Sequence, residues 1–468
     1  MSTLKKTLIL IVLLTLGLMS FYSSNIKTTL YTATGFSAKN LCSGYFISGF
    51  SVETIFREAL VPVSSMFSYV NYDVDDKGKS VKTNVLGFFN RTAIYKNGLG
   101  CTLLAISQDK LNRSVFTLAS LENKNKLQQV VNTLAVQKNT DDYKNELSSI
   151  LSKAFEESSS NQSKISNGFR NTKAVVVLHK GNIIAEKYSS GVTQDTPLLS
   201  WSMAKSVTSL LVGVLVKDNG LDIYANKLLS QWRSKEEHKK ITIDHLLRMS
   251  SGLEFNEKYG VGSDAAKMLS VEVSASDFAI NKELEFPLDS HWSYSSGTTN
   301  IISAIIKEKV GGSFQFYYEF AQQRLFRPIG IESAILEMDA SGTFIGSSYM
   351  YMTARDWAKL GQLCLQNGQW GGRQILPKDW INYAKTPTKT SPLNNYGAHF
   401  WLNKDPDDKI LKRHWPSLPE DLYYMSGFQG QTVAIIPSQE LIVVRLGFSG
   451  SGVERGTEEL IRDVIELL

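Results

Sequence analysis

The sequence predicts an α+β fold in which one antiparallel sheet, flanked by helices, is built from both ends of a region that carries an inserted helical subdomain. Three observations lead there. Ala174–Leu178 is an apolar run, His179-Lys180-Gly181-Asn182 is a turn, and Ile183–Tyr188 is a second run, which together read as a hairpin. Near the other end, Thr432–Ile436 and Leu441–Leu446 flank Pro437-Ser438-Gln439-Glu440 and read as a second hairpin. Between them, Ser206–Val216 is apolar at helical spacing and helical patterns dominate from 264 to 335. Strands at both ends of a helical block favour one sheet with the helices inserted.

The remaining elements follow in order. Lys5 and Lys6 precede an apolar run from Leu8 to Tyr22, a basic segment followed by a hydrophobic one, so export is expected. Phe21 and Tyr22 stand where a cleavage site wants small residues, so residues 1–24 are either a signal peptide or an uncleaved N-terminal membrane anchor. Residues 25–126 read as a small β-rich extension, with strands at Tyr45–Phe50 and Val81–Leu86 and a hairpin turning at Asn97-Gly98 between Thr92–Tyr95 and Cys101–Ile106. Residues 127–468 read as the main domain. It is entered by helix over 127–157, amphipathic from Tyr143 to Glu157, and a Ser-rich loop from Ser158 to Asn167. A short helix spans Ile241–Leu253, helix returns over Ser347–Leu365, and Glu454–Leu467 closes the chain as an amphipathic helix.

Bulk properties limit the function classes. The 468 residues carry a net charge of only +5, with no basic run interleaved with aromatics, so no nucleic-acid partner is expected. No Cys/His set has metal-ligand spacing, and no metal or organic cofactor is implied. Cys364 falls in a helical pattern and reads as a core residue. Cys42 and Cys101 either pair in an oxidising compartment or remain two buried thiols, and the export reading favours the bridge.

The chemistry centres on Ser202-Met203-Ala204-Lys205. An extended apolar segment (Pro197–Trp201) leads in, and an apolar helix (Val207, Leu210, Leu211, Val214) leads out to a stop at Asn219-Gly220. Positions i and i+3 share a helix face, so the hydroxyl and the amine can meet. A neutral lysine can then take the serine proton. Ser-x-x-Lys alone is weak, since it recurs at Ser2/Lys5, Ser24/Lys27 and Ser107/Lys110. Two further stretches add weight. Tyr294-Ser295-Ser296 stands at a loop-to-helix junction, where a phenol near a lysine can pass a proton to a leaving group. Tyr424–Gln431 is glycine-bearing strand that lets a carbonyl approach backbone N–H groups. Taken singly, the first could be a surface turn and the second a bulge. His245 reads as a structural histidine.

In this order the motifs resemble the serine β-lactamase and penicillin-binding-protein hydrolases, in their class C-like branch. The stretches that carry the resemblance are SMAKS (202–206), ITIDHLLRMSSGLEF (241–255), YSSG (294–297), RPIGI (327–331), YMTARDWAKLGQL (351–363), GQWGGRQILPKDW (368–380) and GFQGQTVAIIPSQELIVVRLG (427–447). Within that branch YMTARDWAKLG and GFQGQ look closest to carboxylesterases and 6-aminohexanoate-oligomer hydrolases. The Cys42 and Cys101 segments are similar to an N-terminal extension of some of those proteins. The resemblance implies a β-lactamase-like fold with Ser202 as nucleophile, Lys205 as general base and Tyr294 as proton shuttle. It implies substrate contacts from Tyr259, Ser296, Ser426, Gly427 and Phe428.

Two positions depart from the pattern. Ser296 stands where the family often has asparagine. Met425-Ser426-Gly427 stands where penicillin-recognising members carry a Lys-Thr-Gly or His-x-Gly motif, so the cation that meets a substrate carboxylate is missing unless Arg413 or His414 supplies it. The expectation is therefore an exported serine hydrolase of small esters or linear amides, on the periplasmic or extracytoplasmic side. The alternatives are a β-lactamase or peptidoglycan-acting enzyme, and an inactive family member that binds peptides, cell-wall material or protein. The sequence leaves the oligomeric state open.

Overall fold

A computed structural model describes residues 3–106, 134–136, 141–157, 169–260, 262–408, 410–450 and 455–468, with the side chains of residues 3–24, 141 and 219 outside the description. The apolar run Leu8–Tyr22, the helix expected at 127–133 and 137–140 and the loop expected at Ser158–Asn167 therefore lie outside the described side chains or residues. Residues 134–136 fall within the helix expected over 127–157 but are extended, because Ala135 O accepts from the Ile183 N–H (2.9 Å) and Val136 bridges Ile183. Among the described residues no helix is long and apolar enough to cross a membrane.

The core is a six-stranded antiparallel sheet. Its strands are β5 (Thr172–His179), β6 (Asn182–Tyr188), β10 (Trp401–Leu402), β11 (Tyr423–Gly427), β12 (Gln431–Ile436) and β13 (Leu441–Gly447), in spatial order β10-β11-β12-β13-β5-β6. The two ends of the domain meet where β13 pairs with β5, with Val443 opposite Val177. The strands are apolar on both faces because both are covered. Val176, Leu178, Val433, Ile435, Ile442 and Val444 share a core with helices α3 (Met203–Asn219) and α6 (Ala354–Leu365). The alternate residues Val175, Val177, Ala434, Ile436 and Val443 pack on α2 (Asp141–Lys153) and α7 (Thr457–Leu467). This is the predicted α+β architecture.

The helical block between the sheet's halves holds α4 (Ile243–Leu247) and α5 (Ser296–Lys309). Helix α4 is shorter than the 241–253 expected. Thr242 and His245 form a reciprocal cap at its start, which gives His245 its structural place. A small three-stranded sheet, β7 (Leu198–Leu199), β9 (Met350–Met352) and β8 (Ile335–Leu336), lies beside the block in the order β7-β9-β8. Residues 350–352 were expected to be helical. They are strand because their backbone pairs with Leu198–Leu199, and the helix begins only after the Thr353 cap.

The N-terminal part corrects another expectation. Tyr45 and Phe46 end helix α1 (Thr3–Phe46) rather than open a strand. That helix lies on a four-stranded antiparallel sheet, β1 (Asn71–Asp75), β2 (Ser80–Val85), β3 (Phe88–Lys96) and β4 (Gly100–Leu103). An aromatic-rich run favours strand only where a pleated neighbour is available. Here Phe46 stacks on Tyr95 of the sheet from the helix instead. Cys42 of α1 is disulfide-bonded to Cys101 of β4. Beside this bridge Lys39 forms an ion pair with Glu337, both fully buried, and Glu337 also accepts from the Ser43 hydroxyl (2.7 Å) and the Cys101 N–H (2.6 Å).

Candidate active site

The backbone before Ser202 is bent and held. Ser200 donates its N–H to Met350 O (2.8 Å), which fixes the end of β7. Trp201 then adopts φ +44°, a left-handed conformation costing a bulky residue on the order of 1 kcal/mol. Its ring secures the bend. The indole Nε1–H donates to Gln429 Oε1 (3.1 Å), and the ring contacts Phe428 and Tyr349, each centroid 5.6 Å away. Ser202 follows as the N-cap of α3, and the helix, with Val207, Leu210 and Leu211 fully buried, ends on left-handed Gly220.

One helical turn on, Lys205 is 1 % exposed. Its Nζ lies 3.1 Å from Ser202 Oγ, 2.9 Å from Ser296 Oγ and 3.1 Å from Ser347 O. Burial brings its pKa down from the ordinary lysine value to about 8, against the pull of Glu257, whose charge raises it. The amine also sits 4.8 Å from the centre of the Tyr294 ring. Tyr294 immediately precedes Ser295, whose side chain caps α5, and its hydroxyl interacts electrostatically with Ser202. Burial, then the Glu257 charge, push the Tyr294 pKa well up, so its phenol stays protonated. Tyr396 and Trp401 pack edge-on and tilted against its ring.

The structure brings most of the expected residues together. Tyr259 is 47 % exposed, yet its hydroxyl donates to Glu257 Oε1 (2.8 Å) and interacts electrostatically with Ser202. Phe428 faces Tyr259 across 5.3 Å. Gly427 lies against the nucleophile segment so closely that a Cβ there would fall 2.2 Å from Ser200 O. Ser426 is placed only by its strand, opposite Thr432, and takes no part in the network around Lys205 among the described residues. Met425 is fully buried in the core shared with α3. Both candidate substitutes for a cation are engaged with other partners. Arg413 is spent on Asp405 and Pro416 O, and His414 stacks on Tyr424 and Trp415.

Glu257 was missed in the sequence. Its carboxylate accepts from the Ser296 N–H (2.7 Å) and hydroxyl (2.6 Å) as well as from Tyr259. It comes from an irregular loop with no periodicity to mark it, and only its place two residues before Tyr259 could have pointed there. Asn300, one turn into α5, was missed too; its amide holds Ser347 through that residue's N–H (3.2 Å) and hydroxyl (3.1 Å). His399 is a further buried group nearby. Its ring bridges Leu247 O and Thr299, and burial lowers its pKa to about 3, so it is neutral. Among the described residues no cluster of His, Cys, Asp and Glu could hold a metal ion.

The beta-lactamase family model matches residues 167–463. The 6-aminohexanoate-dimer hydrolase of Paenarthrobacter ureafaciens is 20 % identical over 297 residues, covering 59 % of this chain and 72 % of that protein. Among solved structures, a candidate 6-aminohexanoate-dimer hydrolase from Bacillus anthracis superposes with a TM-score of 0.55 at 22 % identity, covering 64 % of this chain and 79 % of that one. A family VIII carboxylesterase does so with a TM-score of 0.51 at 14 % identity, covering 72 % of this chain and all of that one.

Proposed function

The chain belongs to the beta-lactamase family, whose relatives here include hydrolases, and from that membership we propose that it is a serine hydrolase cleaving small esters or linear amides through an acyl-enzyme on Ser202. The observation that carries this reading is the buried Lys205 amine, 3.1 Å from the Ser202 hydroxyl with a pKa near 8. Near neutral pH a useful fraction of it is unprotonated and can act as a base.

In the proposed reaction Ser202 Oγ attacks the carbonyl carbon as its proton passes to Lys205. The carbonyl oxygen, now negative, lies between the N–H of Ser202 at the helix start and that of Phe428 at the strand edge. The lysine proton then moves through the Tyr294 hydroxyl to the leaving alcohol or amine, whose bond to the carbonyl carbon breaks. Water enters, attacks the acyl carbon, returns a proton to Ser202 and releases the acid. The relatives' names, a carboxylesterase and a 6-aminohexanoate-dimer hydrolase, support small esters and linear amides. So does the aromatic rim of Tyr259, Phe428 and Trp401, with no cation at Met425 to hold a carboxylate.

The test is hydrolysis of a series of short nitrophenyl esters and linear aminoalkanoyl amides by the parent and by Ser202→Ala, together with fluorophosphonate labelling mapped by mass spectrometry. Activity retained in Ser202→Ala, or label on another residue, would overturn the reading. We place the enzyme outside the cytoplasm, a proposal supported by the run Leu8–Tyr22 behind Lys5 and Lys6 and by the Cys42–Cys101 bridge. Fractionation of expressing cells tests it, and enzyme in the soluble cytosol with free thiols at both positions would refute it.

A further inference from the structure

We propose that Glu257 is a positioning residue that, through Ser296, aims the lone pair of Lys205 at Ser202. This rests on the serine-hydrolase reading above.

The argument is a count of protons. Ser296 Oγ has one hydrogen, which it donates to Glu257 Oε1, 2.6 Å away. The Ser296 N–H binds the other carboxylate oxygen (2.7 Å), so the carboxylate cannot swing away without losing both bonds. The Ser296 hydrogen is therefore committed to Glu257, and its oxygen can only accept from Lys205 at 2.9 Å. Ser347 O, at 3.1 Å, is a carbonyl and also only accepts. A neutral amine has two hydrogens and one lone pair. With both hydrogens directed to Ser296 and Ser347, the lone pair is left facing the third neighbour, Ser202 Oγ at 3.1 Å. When Ser202 attacks, its O–H bond breaks, the proton adds to that lone pair to form the ammonium, and the oxygen's electron pair forms the bond to the carbonyl carbon. Tyr259 gives its own hydrogen to Glu257 and so also turns an oxygen lone pair toward Ser202, but a phenol oxygen is a far weaker base than an amine.

Without the carboxylate, the Ser296 hydroxyl is free to rotate and donate to the lysine lone pair, which would block the base. An asparagine would avoid the problem, because its amide oxygen accepts with no third group to hold it. The charge of Glu257 has a second consequence. The ionisable groups facing Lys205 are Glu257, Tyr259 and Tyr294, with Tyr396 and His399 beyond. The tyrosines are held protonated and His399 is held neutral by burial, so Glu257 is the charge that pulls the lysine pKa upward.

Four variants test this against the parent on one nitrophenyl ester: Ser202→Ala, Glu257→Ala, Glu257→Gln and Glu257→Ala/Ser296→Asn. Glu257→Ala is expected to lower kcat by roughly 100-fold, within the range a misdirected general base loses. Glu257→Gln keeps an acceptor and is expected to lose less, about tenfold. In both, the acidic limb of kcat/KM moves to lower pH. Adding Ser296→Asn to Glu257→Ala is expected to recover at least about tenfold of the lost kcat. Parent-like kcat and pH profile in Glu257→Ala, with Ser202→Ala inactive, would overturn this proposal alone. Equal losses in both Glu257 variants with an unmoved pH limb and no recovery by Ser296→Asn would reduce Glu257 to a structural role. Activity in Ser202→Ala would instead overturn the serine mechanism itself.

Discussion

Phe36, on the N-terminal helix, stacks on Trp201, the residue before the proposed nucleophile, with ring centroids 5.8 Å apart and planes within 11°. Phe67 stacks on the other side of Phe36 at 5.2 Å. Trp201 is the left-handed residue whose bend delivers Ser202 to the helix start. The N-terminal extension thus supports the one strained position in the nucleophile segment. Phe36→Ala removes that support while leaving the Gln429 hydrogen bond to the indole. The expected outcome is a loss of about 2 kcal/mol in stability, below the range for a fully buried phenylalanine because Phe36 is half-buried. A fall in kcat of about tenfold or more should accompany it, since small displacements of a reacting group are costly. Urea unfolding and ester kinetics on the same preparation check both, and a destabilised variant with parent-like kcat would show that the stack is only packing.

The pH dependence follows from the lysine. The proposed base works as the neutral amine, whose population rises with pH, and the pKa near 8 places the transition. Below it kcat/KM should climb about tenfold per pH unit, then level off above it. The raised pKa of Tyr294 keeps its phenol intact through pH 10, so no falling limb from that group is expected in the range. His399, neutral down to about pH 3, adds no limb near 6.5 either. A profile flat from pH 6 to 9 would contradict Lys205 as the base.

The buried pair Lys39–Glu337 joins the N-terminal helix to the residue that follows β8. Breaking such a pair from one side leaves an uncompensated charge in the core, typically worth 3–5 kcal/mol. Lys39→Met should therefore cost about 3 kcal/mol, because Ser43 and Cys101 N–H still serve Glu337. Lys39→Met with Glu337→Gln should cost measurably less than Lys39→Met alone. Thermal or chemical unfolding of both decides it, and a double variant less stable than the single would show that the carboxylate is held chiefly by its neutral donors.

How much of this could be read from the chain depends on the distance over which each feature acts. Ser202 and Lys205 share a helix face by spacing alone, and Tyr294 stands next to a cap, so local chemistry marks all three. The two apolar hairpins likewise announced the sheet, since burial on both faces leaves unbroken apolar runs. Glu257 is different. It acts on Ser296, 39 residues later, from a loop whose conformation no periodicity encodes. Lys39 and Glu337 are 298 residues apart, and nothing local to either says that they meet. For the same reason Tyr45 and Phe46, judged by side-chain type, read as strand although the sheet they pack on covers them as helix.

Met425 carries the prediction about β-lactams. It stands where related penicillin-recognising enzymes present a cation, and it is an uncharged side chain sealed in the core, with Arg413 and His414 engaged elsewhere. The enzyme should therefore turn over nitrocefin at least about 100-fold less efficiently than its best nitrophenyl ester, since a missing charge partner for a carboxylate is worth 2–3 kcal/mol or more. Comparison of kcat/KM on the two substrates at pH 8 measures it. Comparable values, or a long-lived fluorescent penicillin adduct on Ser202, would shift the substrate assignment toward β-lactams.

Gly427 gives the sharpest test of the strand edge. A Cβ there would lie 2.2 Å from Ser200 O and 3.0 Å from the Gln431 side chain. The first contact is with backbone, which no rotamer change relieves, so Gly427→Ala must push β11 away from the nucleophile segment. That movement carries the Phe428 N–H away from the position proposed for the oxyanion. Loss of one such donor typically lowers kcat by 10²–10³-fold, and about 100-fold is expected here with KM little changed. The glycine's φ of −136° is ordinary extended backbone, so alanine brings no conformational strain of its own. A variant that folds with the parent's circular dichroism and keeps its kcat would show that the strand edge can move without consequence, and would remove Phe428 from the proposed oxyanion site.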